Sequence, residues 1–102
     1  DLMAPGGDFA AGNILDLDLS ICSQYQLTLP FACGPFSYVF VSGTSESAPH
    51  VAAAAAVVES IRPGSTPARI TSCLLKGSDI IGPKAIYGAG RLNVAKAAAI
   101  CP

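Results

Sequence analysis

Apolar and polar positions change rhythm along this chain, and each change marks a predicted element. From Ile14 to Leu19, apolar residues surround Asp16 and Asp18 in the alternation of a half-buried strand. Tyr25 to Leu29 reads as a second extended stretch, closed by Pro30. Phe31 to Val41 is rich in aromatic and β-branched residues but interrupted by Gly34 and Pro35, so it reads as a strand or extended loop. At Ser47 a block dominated by alanine begins, and its composition predicts a helix over 47–61, ended by Pro63-Gly64. Alanine on nearly every face lets neighbours approach closely, so this helix is expected to be buried on several sides. A second helix is predicted over 67–76, with Thr66 as its cap, Pro67 at its first position and Gly77 at its stop. After the turn signal Gly82-Pro83, Ala85 to Leu92 reads as a short strand or hairpin, and Asn93 caps a last helix reaching about Ile100.

These elements do not add up to a closed domain. A helix buried all round needs more surrounding layers than a few short, interrupted strands provide. The opening residues Asp1 to Pro5 have neither an initiator methionine nor a basic and apolar signal segment. Both features lead to the expectation that the chain is an internal piece of a longer protein.

Composition narrows the class. The chain has 102 residues, 51% of them hydrophobic and 13% charged, which is the composition of a folded globular protein. A formal net charge of −1 and the lack of a basic cluster argue against nucleic acid or an anionic membrane as partner. No apolar stretch reaches the roughly 18 to 20 residues of a membrane span, since the longest candidate stops at Glu59 and Arg62. Cys22, Cys33, Cys73 and Cys101 lack the paired spacing of a zinc site, and there is one histidine, so disulfides are expected. Three pairings are open; Cys22 with Cys33 and Cys73 with Cys101 would close short loops, while four buried thiols are the alternative. Disulfides imply an extracellular, secreted setting.

The candidate chemistry centres on Ser45. A serine just before a helix ordinarily caps it by accepting a bond from a first-turn N–H. The same geometry also serves catalysis, because free amides and the positive end of the helix dipole stabilise an oxyanion. The surrounding string decides between these readings. Gly43-Thr44-Ser45, followed by Ser47-Ala48-Pro49-His50-Val51-Ala52, resembles the nucleophile signature of the subtilisin-like serine proteases. Leu2-Met3-Ala4-Pro5-Gly6 is similar to that family's alanine-proline-glycine turn, and Tyr87-Gly88-Ala89-Gly90-Arg91-Leu92-Asn93 to its closing glycine-x-glycine and leucine-asparagine.

The resemblance implies the C-terminal portion, over residues 1–102, of a subtilase catalytic domain: a three-layer α/β/α fold with a mostly parallel sheet, incomplete in this chain. It implies a serine endopeptidase acting on a polypeptide substrate through an acyl-enzyme on Ser45, whose N–H is one oxyanion donor. The family's catalytic aspartate, histidine and oxyanion-hole asparagine come from upstream segments, and no histidine precedes Ser45 here. This chain alone is therefore expected to be inactive, its partner being the missing N-terminal part of the domain. No cofactor is expected in this segment, with calcium an option only for the complete protein. The rival reading is a catalytically inactive subtilase-like fragment serving packing or partner binding.

His50 is not the base. Five steps at about 100° per residue place it roughly 140° round the helix from Ser45, and chain order agrees, since His50 follows Ser45 with no aspartate between them and Glu46 as the one acid there. Glu46 stands where the family's best-known members have methionine. A carboxylate beside a developing oxyanion opposes catalysis unless it points away or is hydrogen-bonded, although in a first helical turn it also suits the dipole. Asp16 and Asp18 are better read as the wet face of a strand than as a calcium site, and Gly88-Ala89-Gly90 as a turn rather than a dinucleotide loop.

Overall fold

Alanine's helix propensity shapes the longest element. The computed structural model describes residues 2–8, 18–21 and 38–102. Its elements are β1 (Asp18–Ile21), β2 (Tyr38–Val41), α1 (Thr44–Ile61), α2 (Pro67–Gly77), α3 (Lys84–Tyr87) and α4 (Val94–Ile100). They fall into two compact units, one of residues 2–5 with 47–102 and one within 6–46.

α1 begins at Thr44 rather than at Ser47. The earlier start follows from the Glu46 N–H, which finds the Gly43 carbonyl at 3.1 Å, and from an acidic side chain in the first turn that suits the dipole. Pro49 lies inside the helix. It has no N–H to offer the Ser45 carbonyl one turn back, so the helix is carried through this point by its neighbours.

In the larger unit, the core joins three helices. Ala54 and Val58, one turn apart on α1, are buried with Cys73 and Leu74 of α2, Ala97 of α4 and Cys101. Leu2, Ile70, Leu92 and Val94 pack round them. The expectation that α1 is buried on several sides is not met within this chain. Ala52, Ala53, Ala56 and Val57 are exposed, because the layers that would cover them are not among the described elements. Gly77 is the last residue of α2 rather than a left-handed stop, and its reason lies in packing. A Cβ there would meet the Ala97 backbone, 2.6 Å from its nitrogen, so glycine lets α2 and α4 touch.

A disulfide joins Cys73 to Cys101, one of the pairings the sequence left open. Its sequence separation of 28 residues corresponds to about 3 to 4 kcal/mol of lost unfolded-state entropy in the chain-entropy view. Cys22 and Cys33 lie outside the described residues. The predicted caps hold: Thr66 Oγ1 accepts from the Arg69 N–H at 3.3 Å, and Asn93 Oδ1 from the Lys96 N–H at 2.9 Å. Arg62 Nε donates to the Cys101 carbonyl at 3.0 Å, and the Arg69 guanidinium donates to that of Pro102, so two arginines hold the last two residues.

The strand or hairpin expected from Ala85 to Leu92 is mostly something else. Pro83, at φ −58°, presets a helical turn, and its carbonyl accepts the N–H groups of Ile86 and Tyr87 at 2.9 and 3.0 Å. The chain then turns through Gly88 and Gly90, both at positive φ, which bears out the turn reading of that motif. Extended character survives at Arg91, which bridges Asp79 in antiparallel and Met3 in parallel fashion.

In the smaller unit, β1 and β2 pair antiparallel, from Asp18 opposite Val41 to Ile21 opposite Tyr38. Thus the strand expected over 14–19 is described at 18–21, and the segment expected over 31–41 forms a strand at its end. Residues 14–17, 25–29 and 31–37 lie outside the described residues. Among the described residues, the Met3–Arg91 bridge is the one parallel pairing. Among the described residues the sheet is this two-stranded ribbon, so the α/β architecture is represented only in part.

Candidate active site

Ser45 is the second residue of α1, inside the first turn rather than capping it, and its side chain is exposed. Its Oγ–H donates to Glu46 Oε2 at 2.9 Å, the reverse of an N-cap bond, in which the serine oxygen would accept. The Thr44 and Ser45 N–H groups precede the first bond that the helix can make internally. An oxyanion placed beside Ser45 would therefore meet an amide and the positive end of an 18-residue helix.

The motif blocks, far apart in sequence, are held together by short hydrogen bonds. Ser47 Oγ donates to the Ala4 carbonyl at 3.0 Å. Met3 N–H donates to the Gly90 carbonyl, and Leu92 N–H to that of Met3, each at 2.8 Å. Within the smaller unit, Gly43 N–H donates to the Gly6 carbonyl at 2.6 Å. The Ala-Pro-Gly segment thus runs beside both the start of α1 and the closing motif.

His50 lies on an unbroken α1 and is exposed. Five helical steps from Ser45, it keeps the roughly 140° offset expected of it. Asp8 is exposed, Asp18 contributes backbone to β1, and Asp1 and Asp16 lie outside the described residues. Among the described residues, no three of histidine, cysteine, aspartate and glutamate gather as metal ligands would.

One polar cluster escaped the sequence reading. Asn93 Nδ2 donates to Asp79 Oδ2 at 3.0 Å while its Oδ1 caps α4, and Lys96 and Arg91 approach the same carboxylate at 3.5 and 3.7 Å. The Asn93 bond is the largest effect on the Asp79 carboxyl and holds it below its ordinary 3.8; desolvation comes second and opposes it, and Lys96 and then Arg91 add smaller lowering contributions. Only the cap at Asn93 was readable in advance. Nothing local in the sequence couples it to Asp79.

A family model described as the subtilase family matches residues 1–90. The chain belongs to the subtilase family. Residues of this subtilase chain are 32% identical over 105 aligned positions to the subtilisin-like protease SBT4.14 of Arabidopsis thaliana, covering 96% of the chain and 13% of that relative. A solved structure of a protease from Pseudoalteromonas arctica superimposes with a TM-score of 0.76 at 29% identity, covering 100% of this chain and 29% of that one. The subtilase chain thus spans less than a third of the length of either relative, and the motifs it carries are those of the C-terminal portion of the family's domain. Likeness to this neighbour supports the α/β class, represented here by its helices and a small part of its sheet.

Proposed function

We propose that this chain supplies the nucleophile of a serine endopeptidase, with the base, its orienting carboxylate and the second oxyanion donor contributed by sequence outside these 102 residues. The observation that carries the reading is an exposed Ser45 at the dipole-positive end of α1, in the matched subtilase segment. Ser45 Oγ attacks the scissile carbonyl and passes its proton to an imidazole. The tetrahedral oxyanion rests against the Ser45 N–H, the amine leaves with that proton, and water then releases the acyl group. For subtilisin and its relatives this triad logic is a standard worked case, and its magnitudes are those of the family.

The substrate is a polypeptide, and the partner is the upstream part of the catalytic domain, covalently joined or associated. The Cys73–Cys101 disulfide favours an oxidising, extracellular setting. Among the described residues, no helix is long and apolar enough to cross a membrane.

The test is peptide hydrolysis by a polypeptide in which residues 1–102 are joined to an upstream segment carrying the family's aspartate, histidine and asparagine. Ser45→Ala is expected to lower kcat by at least about a thousandfold with little change in KM. Equal kcat for the Ala variant would assign the chemistry to another residue, and a folded polypeptide inactive with Ser45 intact would favour the inactive, partner-binding reading.

A further inference from the structure

A serine hydroxyl has one hydrogen to donate. In the reacting arrangement that hydrogen must point at the imidazole, yet here it is given to the Glu46 carboxylate at 2.9 Å. The arrangement is built into the turn. A Cβ on Gly43 would lie 2.8 Å from Glu46 Oε2 and 3.3 Å from Ser45 Oγ, so the carboxylate and hydroxyl converge over a space that glycine leaves open. Adjacent side chains on a helix diverge by about 100° and do not ordinarily face each other. The long Glu46 side chain reaches back over Gly43 to make this contact.

Resting on the reading of Ser45 as nucleophile, we propose that Glu46 is a positioning residue that holds the Ser45 hydroxyl in a resting orientation and thereby restrains its reactivity. A carboxylate is a stronger acceptor than a neutral imidazole, because the bond to it is charge-assisted. Its negative charge also stands beside the atom from which an oxyanion develops. Both effects work in one direction, and removing the carboxylate speeds attack by Ser45. Because Ser45 is exposed, the gain is screened and modest.

The test is the rate of phosphonylation by a fluorophosphonate. Ser45 Oγ forms a bond to phosphorus, fluoride leaves, and the hydroxyl proton passes to the imidazole. The protein is the complete polypeptide with its upstream triad segments, in wild-type, Glu46→Gln and Glu46→Met forms. Glu46→Met is expected to raise the maximal rate of inactivation roughly three- to fivefold with the probe's affinity unchanged, and Glu46→Gln, which keeps an acceptor but not the charge, to fall between. A structural role alone would not produce that order in the maximal rate. Equal or slower phosphonylation of the Met and Gln variants would overturn the inference while leaving Ser45 as nucleophile. A folded protein without adduct in any form would overturn the nucleophile reading, and this inference with it.

Discussion

At Val58, α1 is fully buried against α2, α4 and the Cys101 end of a disulfide, whereas at Ser45 the same helix presents an exposed hydroxyl turned toward the adjacent carboxylate. The first region meets its needs from within the chain: apolar partners, capped helices and arginines on the last two carbonyls. The second does not. On the proposed reading of Ser45 as nucleophile, an exposed serine with a first-turn amide supplies half of what acyl transfer requires, and the proton-accepting imidazole comes from outside these residues. Packing can be satisfied locally by one helix pair and a covalent clip, while a catalytic constellation has to be assembled from distant segments. One helix therefore carries a finished structural end and an unfinished chemical one.

The finished end can be broken in graded ways. Replacing Cys73 and Cys101 together by serine is expected to cost roughly 2 to 5 kcal/mol of stability, the largest effect, measurable by urea denaturation. Gly77→Ala forces a methyl against the Ala97 backbone and is expected to cost about 1 to 3 kcal/mol. Gly64→Ala, where a Cβ would meet nothing within 4 Å but φ is +79°, separates the two causes. If Gly77→Ala cost nothing, or stabilised as alanine does in an unobstructed helix, close α2–α4 packing would not be the reason for the glycine.

The smallest effect is at Asp79. Its carboxyl is held below 3.8 in the folded state, chiefly by Asn93, so its contribution to stability is present above that value and is lost as pH falls through the lower folded one. Wild-type protein is therefore expected to melt above Asp79→Asn near neutrality, with the gap narrowing on acidification below about pH 4. A gap that persisted unchanged into strong acid would mean that the carboxylate charge plays no part.

Legibility in the sequence divides along the same line. Thr66, Pro67 and Asn93 announced α2 and α4 because caps act within one turn, and local chemistry suffices to place them. Over Ala85 to Leu92 the same logic failed. Pro83 initiates a helical turn there, and Arg91 is extended because Met3 and Asp79, remote in sequence, flank it. The start of α1 was misplaced because a Gly43 carbonyl extends the helix by accepting the Glu46 N–H, a bond that no propensity at Ser47 reveals. The incompleteness of the fold was readable, since an alanine-rich helix with few strands has nowhere to bury its faces. That Glu46 would turn back onto Ser45 was not, because side chains one residue apart on a helix normally diverge.

The most direct measurement is mass spectrometry of fluorophosphonate adducts on residues 1–102 alone and on the same residues joined to the upstream catalytic segments. An adduct on Ser45 that forms rapidly in the joined polypeptide and at least a hundredfold more slowly in the isolated chain is the expected result, about 3 kcal/mol of activation supplied from outside. Equal rates in the two forms would contradict it, by placing the base within these residues.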